Sequence, residues 1–198
     1  MLRNSYLLVI LISCCLHLQA QTNDSVFSDA ALSSVMLLNT DNNQSGHLLN
    51  TASEKSCLFI FLSPECPLCK NYSSTLNTLY QQFGKDILFY GIIPGSAYSS
   101  KEVKAFSTNY QISFPLLIDS SKSLSNFLQA SITPQVILLD KKKYLLYKGA
   151  IDNWAVSLGK QRLKPTQFYL KDAIEESLQD KPIAIKRTKA VGCKINDY

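Results

Sequence analysis

Six consecutive apolar residues, Cys57-Leu58-Phe59-Ile60-Phe61-Leu62, run up to Ser63-Pro64. A strand with one wet face would alternate apolar and polar positions, so this run predicts a strand covered on both faces. From Pro67 the period changes. Leu68, Tyr72, Leu76, Leu79 and Phe83 recur three or four residues apart and Gly84 follows, which predicts a helix over 67–83. The alternation continues with a strand at 87–93, a helix over 101–110 capped by Ser99 or Ser100, a strand at 114–119 and a helix over 122–129. Residues 132–140 and 143–150 then read as two strands around the turn Lys141-Lys142-Lys143, and a closing helix is expected over 166–178 with Thr166 as its cap. Ahead of all this, "SSVMLLNTDNNQSGHLLN" reads as a strand, an Asn/Asp/Gly turn and a second short strand. Strands and helices in this order predict an α/β sandwich with a mixed sheet and an N-terminal β-hairpin.

The ends of the chain break the pattern. Arg3 precedes the apolar stretch "YLLVILISCCLHLQA", which is short for a membrane span and closes at Ala20 before the polar "QTNDS". Residues 1–20 therefore read as a signal peptide, 21–32 as a linker, 33–180 as one domain and 181–198 as an extended tail. "LISC" offers the alternative of lipid attachment at Cys14, which would make the chain a membrane-anchored lipoprotein; an uncleaved anchor is a third reading. The expected location is periplasmic or secreted, with no membrane contact except through Cys14. Composition adds little: 46% hydrophobic and 18% charged residues are ordinary for a globular domain. The net charge of +5 is spread along the chain, its tightest cluster being the lysine turn, so no nucleic-acid partner is expected.

Export changes the cysteine arithmetic, because Cys14 and Cys15 leave with the signal peptide and Cys57, Cys66, Cys69 and Cys193 remain. The pair in "FLSPECPLCK" admits four chemistries. Structural zinc needs more ligands than His47, the sole histidine beyond the signal, can add, and covalent haem needs His where Lys70 stands. No metal and no cofactor are expected. A structural disulfide would close too small a loop to constrain the unfolded chain much. Thiol–disulfide exchange remains: the unpaired N–H groups of a helix N-terminus favour the thiolate of Cys66, Pro67 suits the first helical position, and Cys69 lies one turn later. Cys66 is thus the expected attacking thiol and Cys69 the resolving one, with Lys70 and Glu65 pulling the thiolate in opposite directions. A copper-binding assembly factor holding Cu(I) through the two thiolates is the alternative from another class.

Strand, Cys-x-x-Cys and helix at 58–83, followed by "ITPQVILLD", resemble the thioredoxin fold. The intervening segment from "GIIPGSAYSS" onward is similar to the redoxin branch, the alkyl hydroperoxide reductase/thiol-specific antioxidant (AhpC/TSA) family. "GAIDNWAVSLGKQR" and "TKAVGCKI" resemble an exported bacterial subgroup, and the likeness spans residues 33–195. It implies a thioredoxin-like three-layer sandwich and an oxidoreductase acting on protein thiols and disulfides or on small thiols, with peroxides as the alternative substrate. It also implies a cis-proline at Pro134, with Thr133 presenting its backbone to an incoming peptide. Departures are plain. Glu65 stands where thioredoxin has Trp, and the strand before the pair lacks the buried carboxylate. Of the peroxiredoxin motif, Ser63 fits the hydroxyl position but Phe59 replaces the proline, and Arg162 and Arg187 are the only arginines beyond the signal. Cys193 follows Gly192, which permits close backbone approach, and reads either as an extra thiol docked near Cys66 or as buried and inert. Cys57 reads as a small hydrophobe.

Overall fold

A computed structural model describes residues 27, 29–47 and 54–195. The signal segment, its cut near Ala20 and Cys14 lie outside the described residues. In chain order the elements are α1 (Asp29–Ser34), β1 (Met36–Asn39), β2 (Gln44–His47), β3 (Cys57–Phe61), α2 (Pro67–Phe83) and β4 (Leu88–Pro94). Then come α3 (Ser100–Asn109), β5 (Leu116–Asp119), α4 (Ser123–Phe127), β6 (Ile132–Thr133), β7 (Gln135–Leu139) and β8 (Leu145–Gly149). A small hairpin, β9 (Ala155–Ser157) and β10 (Lys160–Gln161), leads to α5 (Tyr169–Leu178) and finally β11 (Cys193–Lys194).

Seven strands form one sheet in the order β2-β1-β5-β4-β3-β7-β8. β3 pairs in parallel with β4 and antiparallel with β7, so both its edges are hydrogen-bonded, and β4 continues in parallel to β5. All five residues of β3 are buried. Because side chains alternate across a strand, Leu58 and Ile60 face the layer of α2, α3 and α5, while Phe59 and Phe61 face Leu32 of α1 and Leu124 of α4. This is the mixed-sheet, three-layer α/β architecture that the hydrophobic pattern and the resemblance anticipate. α2 buries the predicted stripe, including Leu68, Tyr72, Leu76 and Phe83. Gly84 does close it, but with φ −65 it is right-handed. A glycine stands there because a Cβ would lie 2.6 Å from the Tyr80 carbonyl oxygen.

Several expectations need correction. Residues 29–34, divided by the sequence reading between linker and strand, are helical, with Leu32 fully buried. The strand expected over 132–140 is two strands: β7 joins the large sheet, whereas β6 pairs elsewhere. Pro134, with no N–H to give to a ladder, is the break between them. The helix at 122–129 is shortened to α4, whose first turn is held by Asp119; that buried carboxylate accepts from the Ser125 N–H at 2.8 Å and its hydroxyl at 2.7 Å. α5 begins at Tyr169, not Thr166, because Asn153 competes: its side-chain oxygen accepts from the Thr166 N–H at 2.8 Å and its amide donates to the Thr166 hydroxyl.

The tail is docked along the sheet. The Lys148 N–H donates to Lys186 O at 3.0 Å and the Thr188 N–H to Lys148 O at 3.1 Å. Gly149 makes the approach possible, since a Cβ there would lie 2.8 Å from the Thr188 backbone nitrogen. Ile183 and Ala190 are buried, and β11 pairs antiparallel with β6, Cys193 opposite Thr133 and Lys194 opposite Ile132. Among the described residues no helix is long and apolar enough to cross a membrane.

Candidate active site

β3 carries the chain through the middle of the sheet and Leu62 makes the last ladder bond, its N–H donating to Ile92 O at 2.8 Å. A turn through Pro64 and Glu65 follows, closed by the Cys66 N–H on Ser63 O. Cys66 is the residue immediately before α2, Pro67 occupies the opening of the helix, and neither a capping side chain nor an acidic residue in the first turn competes for its N-terminal N–H groups. Such a position favours a thiolate. Cys69 sits one turn on, fully buried, its sulfur accepting from the Ser63 N–H at 3.4 Å.

The third sulfur arrives from the tail. Cys193 Sγ lies 2.7 Å from Cys66 Sγ. As a thiol, Cys66 donates to the Thr133 carbonyl at 3.2 Å; as a thiolate it accepts from its two sulfur neighbours. The hydrogen bond from Cys69 outweighs burial and, with a further contribution from Cys193, pulls the Cys66 pKa down to about 4. The neighbours move the other way. Burial, and then the hydrogen bond and charge of Cys66, hold Cys69 well above the ordinary thiol range and push Cys193 up to about 11. One sulfur of three is therefore ionised at neutral pH, and it is Cys66.

The Thr133–Pro134 peptide bond is cis, and the loop it forms faces the cysteine pair. A cleft of about 340 Å³ opens beside Cys66, lined among others by Glu65, Tyr98, Lys122, Thr133, Cys193 and Ile195. Cys66 is only 2% exposed, because β11 lies across it. The Ser63 hydroxyl pairs with Tyr98 OH at 3.1 Å. Arg162 donates to Asn153 O beside the β9–β10 hairpin and Arg187 bridges to Lys148 of β8; neither lines the cleft. His47 ends β2 at the outer edge of the sheet, with three strands between it and β3. Among the described residues, no group of three or more His, Cys, Asp and Glu side chains is arranged to hold a metal ion. Cys57 is fully buried at the far end of β3, with Lys143 Nζ 3.9 Å from its sulfur.

The sequence reading missed Tyr98, Lys122 and Ile195 as cleft residues, which come from loops and the tail and carry no periodic signal. For the tail's docking the signal was Gly192: a Cβ there would fall 2.0 Å from the Thr133 carbonyl oxygen.

The family model described as AhpC/TSA matches residues 30–148. The chain belongs to the AhpC/TSA family. Its fold is shared with an uncharacterized conserved protein from Geobacillus kaustophilus, at 20% identity and TM-score 0.71 over 82% of this chain and 88% of that one. A hypothetical protein from Sinorhizobium meliloti 1021 aligns similarly, with 23% identity, TM-score 0.71 and coverages of 81% and 88%. A secreted Mycobacterium tuberculosis disulfide oxidoreductase homologous to E. coli DsbE aligns at 15% identity and TM-score 0.51, over 60% of this chain and 84% of that one. None of the curated proteins matches the sequence. The thioredoxin-like architecture of this AhpC/TSA chain is thus common to proteins that share little of its sequence.

Proposed function

We propose that the protein is an exported thiol–disulfide oxidoreductase in which Cys66 attacks and Cys69 resolves. The observation that carries this is the opposite ionisation of two cysteines one turn apart at the start of α2, facing the Thr133–Pro134 loop. In the reducing direction, the Cys66 thiolate attacks one sulfur of a partner disulfide. The partner's S–S bond breaks, its other sulfur leaves as a thiolate, and a mixed disulfide forms on Cys66. That step removes the negative charge of Cys66, which helps hold Cys69 protonated, so the second thiol loses its proton more readily once it is needed. The departing partner thiolate takes up that proton. Cys69 then attacks Cys66 Sγ and expels the remaining partner sulfur. Two electrons have passed from the Cys66–Cys69 pair to the partner, which ends as two thiols once its second thiolate takes a proton from water. Reversal oxidises the partner, and the reduction potentials of the two couples set the direction.

Export is supported by the apolar N-terminal stretch and agrees with the secreted oxidoreductase among the structural neighbours. Protein disulfides, or small ones, are the partners this site suits, with Thr133 and Pro134 shaping the wall they would meet. A peroxidase is less well supported: the Ser63 hydroxyl is engaged by Tyr98, and among the described residues no arginine lines the cleft to polarise a peroxide. The test is insulin reduction and hydrogen peroxide consumption measured side by side on the parent and Cys66→Ser proteins. Loss of insulin reduction to background in the variant is expected. Intact insulin reduction there would remove Cys66 from its role, and peroxide consumption faster than insulin reduction in the parent would favour the peroxidase.

A further inference from the structure

Nothing in the architecture of the large sheet requires β11. It is a two-residue strand paired with a two-residue strand, yet it brings Gly192 against the Thr133 backbone and Cys193 Sγ to 2.7 Å from the attacking sulfur. We propose that Cys193 is a third redox thiol, forming a Cys66–Cys193 disulfide that locks in place the tail already covering the cleft against polypeptide partners, until Cys69 opens the lock.

Three observations support this. The tail is positioned by contacts that do not involve sulfur: Thr188 against β8, buried Ala190, and the Ile195 N–H on Ser131 O at 3.0 Å. Cys193 is therefore held beside Cys66 while all four cysteines of the described chain are free thiols. Second, Cys193, Lys194 and Ile195 all line the cleft, and Cys66 is 2% exposed beneath them. Third, the edge of β6 that an extended polypeptide would use for backbone pairing beside Cys66 is already taken by β11. A small disulfide can enter a cleft of this size, whereas a polypeptide must displace the tail.

The chemistry balances with a partner disulfide as the oxidant, and it rests on the reading of Cys66 as the attacking sulfur. Cys66 attacks the partner disulfide and expels one partner thiolate, which accepts the proton of Cys193. Cys193 then attacks Cys66 Sγ, forms the Cys66–Cys193 bond and expels the second partner thiolate. Two electrons leave the chain, and the partner becomes two thiols once its second thiolate takes a proton from water. Opening is an exchange with no net electron transfer: Cys69 attacks Cys66 Sγ, the Cys66–Cys69 bond forms and Cys193 departs and is protonated.

The full chain carrying Cys69→Ser, treated with 5,5′-dithiobis(2-nitrobenzoate), tests the step. Attack by Cys66 releases one equivalent of the coloured thiolate and leaves the other half of the probe on the protein. Resolution by Cys193 releases a second equivalent at a rate independent of probe concentration, and peptide mapping then finds Cys66 bridged to Cys193. Adding Cys193→Ser should abolish the second release and leave Cys66 labelled. A Cys69→Ser protein that keeps the label on Cys66, with Cys193 still alkylatable, overturns the proposal. If the probe never labels Cys66 in either variant, the reading of Cys66 itself fails, which is a different result. For the latch, Gly192→Val leaves every thiol in place and pushes the tail off Thr133. Insulin reduction should rise severalfold relative to reaction with the small probe, and an unchanged ratio overturns the exclusion of polypeptides.

Discussion

Cys57 and Cys66 stand at the two ends of one stretch of chain, and both are buried, at 0% and 2% exposure. Their chemistry nevertheless differs in kind. Cys57 lies inside β3, where the backbone N–H groups around it are spent on β4 and β7, and its sulfur packs in the layer of Phe59 and Ile137 with Lys143 Nζ at 3.9 Å. Cys66 lies where the sheet has ended and a helix has begun, so the surrounding N–H groups and thiols are free to turn toward its sulfur. Exposure does not separate the two sulfurs; their place in the fold does, one inside a fully paired strand and the other at the open start of a helix beside two further thiols.

The sharpest test of that contrast is the pH profile of alkylation. A group whose folded pKa is lowered is ionised above that value, so Cys66 should react with iodoacetamide at a nearly constant rate from pH 6 to 8. An ordinary thiol gains about a hundredfold over the same two units. Cys57 should stay unmodified throughout until the protein is unfolded. Peptide-resolved mass spectrometry reads both, and a Cys66 rate that climbs with the ordinary slope would erase the distinction. A smaller effect should follow Cys69→Ala. Because the hydrogen bond from Cys69 is the largest influence lowering Cys66, its loss should move the inflection of the Cys66 profile upward, by about one to two pH units for one hydrogen bond to a charged group. Smallest is Cys57→Ala. It should leave insulin reduction unchanged and cost about 1 kcal/mol through the cavity, seen as a fall in Tm of roughly 2–4 °C.

The same contrast describes what could be read in advance. The continuous run of β3 and the three-to-four spacing of α2 each bury a side that periodicity predicts, so the fold and the junction holding Cys66 and Cys69 were legible from residue order. The paired thiols follow from Cys-x-x-Cys on a helix start, because one turn of helix brings the two together without help from elsewhere. Cys193 is different. Its place depends on Gly149 and Gly192 permitting backbone approach and on two residues of edge pairing, none of which leaves a period in the sequence. Thr166 shows the same limit from the other side. It is a good helix cap by type, but Asn153, distant enough to be invisible to local rules, binds its N–H and postpones the helix.

The burial of β3 on both faces has a consequence for how the protein can vary. No side chain between Leu58 and Leu62 can ionise or donate a hydrogen bond, and a polar replacement there would sit unpartnered in the core at a cost of a few kcal/mol. Whatever retunes Cys66 must therefore come from Cys69 on α2 or from Glu65, Tyr98, Thr133 and the tail, the latter on loops and edges where substitutions are tolerated. Redox character and fold stability are assigned to separate residues, so a lineage can drift in the first while conserving the second.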